Sequence, residues 1–417
     1  MPHRPTALSP GGRAVAFSLT SAVLGVLALV PQAVAAEGPQ DPWYMDTWRI
    51  EEVWEHARGE GITVAVIDGG VDSSRPELAG QVLDGEDFNW GPDGAHFDKT
   101  GHGTLMSALI AGTGAGGGIQ GLAPEAKILP LRVTDELTFD FGSEARIATA
   151  IEYAVEEGAQ VISISLAGDE LGADREIVDA AIAEAARQDV LIFAGVGNEG
   201  DTENRSLFPA AREGIVGVAA VDRNGDHARY SNHGVQVALA APGDDVPTYC
   251  PLLDGDPCLV SEGGTSAATA LAAGAAALVR SAHPDWTKNQ VLRAMMETAD
   301  APEGGRDDYV GHGMIRPDRI LLDGTVDPGD PGTNPLFAEY EATLDPPVSP
   351  EPQPEPEPSE AEAQEEQPAP SENQAAATGG GDDGIGPWAL AGGAGVLLVA
   401  GILTAVILNR RRDTTSV

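Results

Sequence analysis

ITVAVID, from Ile62 to Asp68, is the stretch whose reading decides the fold. Its apolar residues run on without alternation, so the strand it predicts is covered on both faces. It ends on a carboxylate followed by Gly69 and Gly70. The same rhythm continues outward. KILPLRV (Lys127 to Val133), QVISISL (Gln160 to Leu166) and VLIFAG (Val190 to Gly195) are further short apolar runs. Helical periods at Ser143 to Glu157 and Asp174 to Gln188 separate them. Buried strands alternating with amphipathic helices predict an α/β fold with a mainly parallel central sheet flanked by helices. In such sheets ligands bind beyond the carboxyl ends of the strands. The chemistry is therefore expected just after these runs.

The chain has 417 residues, 42% of them hydrophobic, enough to build a sizeable core. Its net charge of −41 argues against nucleic acid as a partner, because phosphates would be repelled, and against adsorption to an anionic membrane surface. His3, Arg4 and Arg13 precede an uncharged stretch from Ala14 to Val30, and small residues run up to Ala36. That order predicts a secretory signal peptide over 1–36. A short extension (37–58) with Trp43, Trp48 and Trp54 follows, expected to pack on the globular domain at 59–325. From Pro346 to Glu372, 17 of 27 residues are Pro or Glu, too few apolar groups to fold. Residues 326–384 are accordingly expected to form a disordered, largely polyproline stalk.

Pro387 to Leu408 carries no charge in 22 residues. At about 1.5 Å per residue this spans roughly 33 Å, the thickness of a bilayer's hydrocarbon core. A transmembrane helix is expected at 385–409. Arg410 to Arg412 open a tail at 410–417, which positive charge places in the cytoplasm, with everything before the span outside. The two cysteines, Cys250 and Cys258, are separated by Pro, Gly and Asp among others and can close a short loop as a disulfide once exported; free thiols are the alternative.

Four motifs sit where the chemistry is expected. Asp68 leaves the first strand, although an aspartate there also serves as a metal ligand or turn former. His102 lies between Gly101 and Gly103, which let other groups approach its ring, and a helix of small apolar residues follows. Asn198, in AGVGNEG, comes directly after the strand ending at Gly195 and can present its amide to an oxyanion; a simple turn asparagine is the plainer reading. Ser266, in GGTSAATALAAG, opens an Ala-rich helix, where first-turn amides favour developing negative charge; alone it would read as a helix cap.

Together, in the order Asp, His, Asn, Ser, these motifs resemble the subtilase family (peptidase S8). VISISL at Val161–Leu166, FPA at Phe208–Ala210, YSNHG at Tyr230–Gly234, APG at Ala241–Gly243 and HPDWT at His283–Thr287 extend the likeness from Trp43 to Leu322. The resemblance implies a subtilisin-like three-layer fold and a serine endopeptidase. In it Ser266 is the nucleophile, His102 the proton carrier and Asp68 its orienter. Asn198 and the Ser266 N–H hold the oxyanion. Ser165, Leu166 and Ala167, with Gly195 and Gly197, bind an extended protein or peptide substrate. No cofactor or metal is implied.

The chain also departs from the family pattern. Ala270 stands where the family has proline, in the helix's first turn, where proline is tolerated rather than required. Gly114 to Gly118 carries no carboxylate where many subtilisins bind calcium, and no Gly-Lys-Ser/Thr follows to make it a phosphate loop. Asp68 stands only 32 residues after Ala36, which leaves no room for a folded inhibitory propeptide. Restraint by site access or substrate choice is expected instead. The whole layout resembles the mycosins, the membrane-anchored proteases associated with type VII secretion in actinobacteria. This implies a cell-membrane location and a type VII secretion membrane complex as partner. The second cysteine pair common in mycosins is missing. The competing reading is a structural component of such a complex with dispensable proteolysis. The intact four residues favour activity, and a tether argues against a diffusing nutrient protease.

Overall fold

A computed structural model describes residues 42–344, apart from 90–92, 137–139, 141, 173, 250–256 and 260–262. The expected signal peptide, the membrane span at 385–409 and the tail at 410–417 lie outside the described residues. So does Cys250, and only the backbone of Cys258 is described, which puts their expected disulfide outside as well. Among the described residues no helix is long and apolar enough to cross a membrane.

After two short helices, α1 (Trp43–Thr47) and α2 (Ile50–Val53), the chain enters β1 (Thr63–Asp68). There follow β2 (Glu86–Asp87), α3 (His102–Ala111), β3 (Lys127–Arg132), α4 (Ser143–Glu156), β4 (Val161–Ile164), α5 (Arg175–Arg187) and β5 (Leu191–Gly195). Strands β6 (Val216–Val221) and β7 (Val237–Pro242) complete a seven-stranded sheet of order β2-β3-β1-β4-β5-β6-β7. All its pairings are parallel. A separate antiparallel pair, β8 (Pro247–Tyr249) and β9 (Pro257–Leu259), precedes α6 (Thr265–Ala282). Helices α7 (Lys288–Thr298), α8 (Pro317–Leu322) and α9 (Ala338–Leu344) finish the described chain.

The helices form two layers. In α5, Val178, Ala181, Ile182 and Ala185 form a buried stripe at helical spacing with Ala183 buried beside it, and α5 packs against α4, which covers β1 and β3. Helix α6 is buried almost all round and runs across β4 to β7 with α3 beside it. Its alanines and Gly274 let α3 come close: a β-carbon at Gly274 would stand 3.6 Å from the Ile110 α-carbon and 3.2 Å from the Leu122 side chain. Helix α7 starts on a capping box, Thr287 Oγ1 accepting the Gln290 N–H and the Gln290 side chain accepting the Thr287 N–H.

Register sets the site. Ile67 pairs with Ile164, and Ile164 with Ala194. Asp68, Ser165 and Gly195 therefore leave three adjacent strands at the same level, on the carboxyl rim of the sheet. The N-terminal tryptophans anchor on the domain: Trp48 is fully buried, Trp43 Nε1 donates to Asp244 O (2.9 Å) and Trp54 Nε1 to Leu122 O (2.8 Å).

Residues 326–344, placed in the stalk by composition, are instead folded against the domain. Leu336, Phe337 and Tyr340 pack on its core, and Thr287 and Asn289 each bond Pro331 O at 3.1 Å. The reason is local. This stretch holds the last aromatic side chains before the Pro/Glu tract, which the average over 326–384 hides.

Candidate active site

Asp68 is fully buried, and its Oδ1 accepts the Gly69 N–H at 2.7 Å. His102 is the first residue of α3, entered through Gly101 at φ 77°, a left-handed conformation that suits glycine. Asp98 organises this entry. Its Oδ1 accepts the Gly101 N–H (2.8 Å), and its Oδ2 accepts both the N–H (2.8 Å) and hydroxyl (2.7 Å) of Thr104. A carboxylate satisfying first-turn amides stabilises the helix start.

The imidazole Nδ1 lies 2.9 Å from each carboxylate oxygen of Asp68. An ionised carboxylate only accepts, so Nδ1 carries the proton and Nε2 is the basic nitrogen. Burial pushes the His102 pKa down. The charge of Asp68, its hydrogen bond and the charge of Asp98 outweigh burial, and the net shift is upward from 6.5. Close approach depends on Gly103, where a β-carbon would meet Gly70 O at 2.2 Å and Asp68 Cβ at 3.0 Å.

Ser266 is the second residue of α6, and the cap position is held by Gly264, so the serine is not the helix cap. Its hydroxyl donates to Ser165 O (3.1 Å), and the Ser165 hydroxyl donates back to Ser266 O (3.0 Å). No hydrogen bond joins His102 and Ser266 in this conformation, but both line one cleft of about 430 Å³.

Asn198 Oδ1 accepts the N–H (2.9 Å) and the hydroxyl (3.1 Å) of Thr265. Two donors on one side identify that atom as the oxygen and leave Nδ2 on the other. A β-carbon at Gly264 would stand 3.5 Å from Asn198 Nδ2 and 3.7 Å from Ser266 N. The two donors thus converge on the space that the glycine leaves bare.

Ser165, Leu166, Ala167, Gly195 and Gly197 all line the same cleft. The structure brings every expected site residue together except the two cysteines, whose side chains fall outside the description. Thr265, Gly264 and Asp98 were not singled out from sequence. The GGTS string contains the first two, but their part is visible only once Asn198 is packed beside them.

A parallel sheet covered on both faces, with a buried Asp–His pair and a helix-starting serine at its carboxyl rim, defines the subtilisin-like class. The subtilase family model matches residues 59–313, and the chain belongs to that family. It is 32% identical over 273 residues to thermitase of Thermoactinomyces vulgaris, a match covering 64% of this chain and 93% of thermitase. Among solved structures it resembles MycP1 with the N-terminal propeptide removed, at 31% identity and TM-score 0.61, over 70% of this chain and 99% of that one. It also resembles a chain in the periplasmic assembly from the ESX-5 inner membrane complex, at 25% identity and TM-score 0.63, over 71% of this chain and 87% of that one. The protein is a subtilisin-like serine protease related to the mycosins of type VII secretion systems.

Proposed function

We propose that the chain is a membrane-anchored, extracytoplasmic serine endopeptidase working through Asp68, His102 and Ser266. The observation that carries this reading is the Nδ1 contact of His102 with both oxygens of Asp68, in a cleft that His102 and Ser266 both line.

Rotation of the Ser266 hydroxyl from Ser165 O toward Nε2 starts the reaction. Oγ bonds to the scissile carbonyl carbon while its proton passes to Nε2, and Asp68 stabilises the imidazolium. The new oxyanion takes hydrogen bonds from Asn198 Nδ2 and the Ser266 N–H. Such a donor contributes a factor of about 10²–10³ to kcat, a value taken from subtilisin. Collapse expels the amine with the proton from Nε2. Water repeats the sequence on the acyl-enzyme and restores the serine. The substrate backbone lies extended along Ser165 to Ala167, opposite Gly195 and Gly197.

Export by the segment 1–36, a Cys250–Cys258 disulfide and anchoring by 385–409 are parts of the same reading and rest on sequence pattern. Association with a type VII secretion membrane complex is supported by the likeness to MycP1 and to the ESX-5 assembly chain. The latter also favours a second role as a structural component of such a complex.

A fluorophosphonate probe should label the protein, and Ser266→Ala should abolish labelling; persistent labelling would overturn the nucleophile. If the structural role holds, Ser266→Ala restores secretion to a deletion strain. Equal loss with Ser266→Ala and deletion would remove it.

A further inference from the structure

We propose that Asn232 is a positioning residue of the oxyanion site, setting the backbone from which Asn198 projects. The inference rests on Asn198 being an oxyanion donor. Thr265 fixes only the oxygen end of the Asn198 amide. Where Nδ2 points also depends on the two peptide groups that flank the Asn198 α-carbon, and both end on Asn232.

The peptide before Asn198 is held through Gly197 O, which accepts the Asn232 N–H at 2.9 Å. The peptide after it is held through the Glu199 N–H, which donates to Asn232 Oδ1 at 2.5 Å. Asn232 Nδ2 donates to Arg205 O at 2.8 Å, which fixes the sense of its amide. The residue is fully buried, so no water competes for these bonds. Glycines make the approach possible. Gly197 sits at φ 106°, and a β-carbon there would stand 2.8 Å from Asn232 Nδ2. A β-carbon at Gly200 would stand 2.0 Å from Ser231 O, while its N–H donates to Tyr230 O at 2.7 Å. The 197–200 loop is therefore seated directly on 230–232, with one residue holding both sides of the oxyanion donor, through its backbone N–H on one side and its side-chain oxygen on the other.

A buried asparagine that only filled backbone valences would affect stability and nothing else. A positioning residue acts on the transition state, since a donor displaced by about 1 Å can lose up to 10²-fold. The test is a double-mutant cycle in kcat on the exported protein, with active sites counted by fluorophosphonate so that unfolded molecules drop out. Asn232→Ala should lower kcat about 10- to 100-fold with KM little changed. Asn232→Ser, which keeps a shorter acceptor and a compact side chain, should lose less. In an Asn198→Ala background either substitution should lower kcat by less than about twofold, because the group it positions is gone. Equal losses in both backgrounds would overturn the inference, as would full kcat in Asn232→Ala. If Asn232→Ala does not fold, the same cycle with Asn232→Ser decides. An Asn198→Ala variant with undiminished kcat would instead remove the oxyanion assignment itself.

Discussion

Thr265 grips Asn198 twice, through its N–H at 2.9 Å and its hydroxyl at 3.1 Å, both on the same oxygen. The hydroxyl also accepts the Gly197 N–H at 3.3 Å. A residue next to the nucleophile thus orients the amide that faces the oxyanion. Thr265→Val keeps shape and backbone donor but removes the hydroxyl. One net hydrogen bond of about 1 kcal/mol predicts a fall in kcat of about fivefold. Thr265→Ser should match the wild type. Equal kcat for Val and Ser, compared in single-turnover assays, would show that the hydroxyl plays no part.

Gly264 has an ordinary extended φ of −174°, so alanine fits its backbone without strain. The nearest atoms to an added β-carbon lie at 3.5 Å or beyond, an ordinary contact distance. Those atoms belong to Asn198 and Ser266, and the methyl group would fill the space where the oxyanion forms. Gly264→Ala should therefore leave the unfolding midpoint nearly unchanged while kcat/KM falls at least about 100-fold. Wild-type turnover in a folded Gly264→Ala protein would move the oxyanion site elsewhere.

The raised pKa of His102 fixes the sign of two pH dependences. General-base action needs neutral Nε2, so kcat/KM should rise with pH along a limb centred above 6.5. The stability contribution runs the other way. It is fully present below the unfolded value and is lost as pH rises through the folded one. Asp68→Asn removes the largest favourable influence on the imidazolium. It should shift the limb to lower pH and cut kcat by about 10⁴-fold. Asp98→Asn should shift it the same way by less, since Asp98 acts only through its charge. A pH–rate profile of kcat/KM checks all three proteins, and a limb unmoved by Asp68→Asn would separate it from His102.

The parts of this fold that local pattern dictates were readable from the residues. The runs at Ile62, Lys127, Gln160 and Val190 each became a strand, because apolar runs this short, bounded by turn residues, fit a doubly covered sheet better than a buried helix. Glycine beside His102 pointed to close approach, and Gly103 against Gly70 O supplies it. The rest depends on contacts between distant residues. Strands β6 and β7 lie in glycine- and alanine-rich sequence whose period is ambiguous between strand and helix. Asn232 stands in the sequence only as part of YSNHG, and its hold on the loop at 197–200 shows once the two are packed together. The hydrogen bond of Ser266 to Ser165, 101 residues away, has no local signature.

Lys288 is nearly buried, with its side chain 6% exposed, and its ammonium meets Glu341 of α9 and Asn289 Oδ1 at 2.9 Å. Asn334 Nδ2 donates to the same Glu341 oxygen at 2.8 Å. Glu341 is thus the clasp that holds 326–344 on α7. Removing it leaves an ammonium with little access to water. A broken buried pair costs about 3–5 kcal/mol, and the partial exposure of Glu341 puts Glu341→Ala at or just below the lower end. Lys288→Met combined with Glu341→Ala should recover much of that loss, because no unpaired charge remains. Truncation after residue 325 should destabilise the domain by more than Glu341→Ala, while truncation after 344 should not. Urea unfolding of these proteins gives the comparison. A Glu341→Ala protein as stable as the wild type would mean that the apolar contacts of Leu336, Phe337 and Tyr340 suffice to seat the segment.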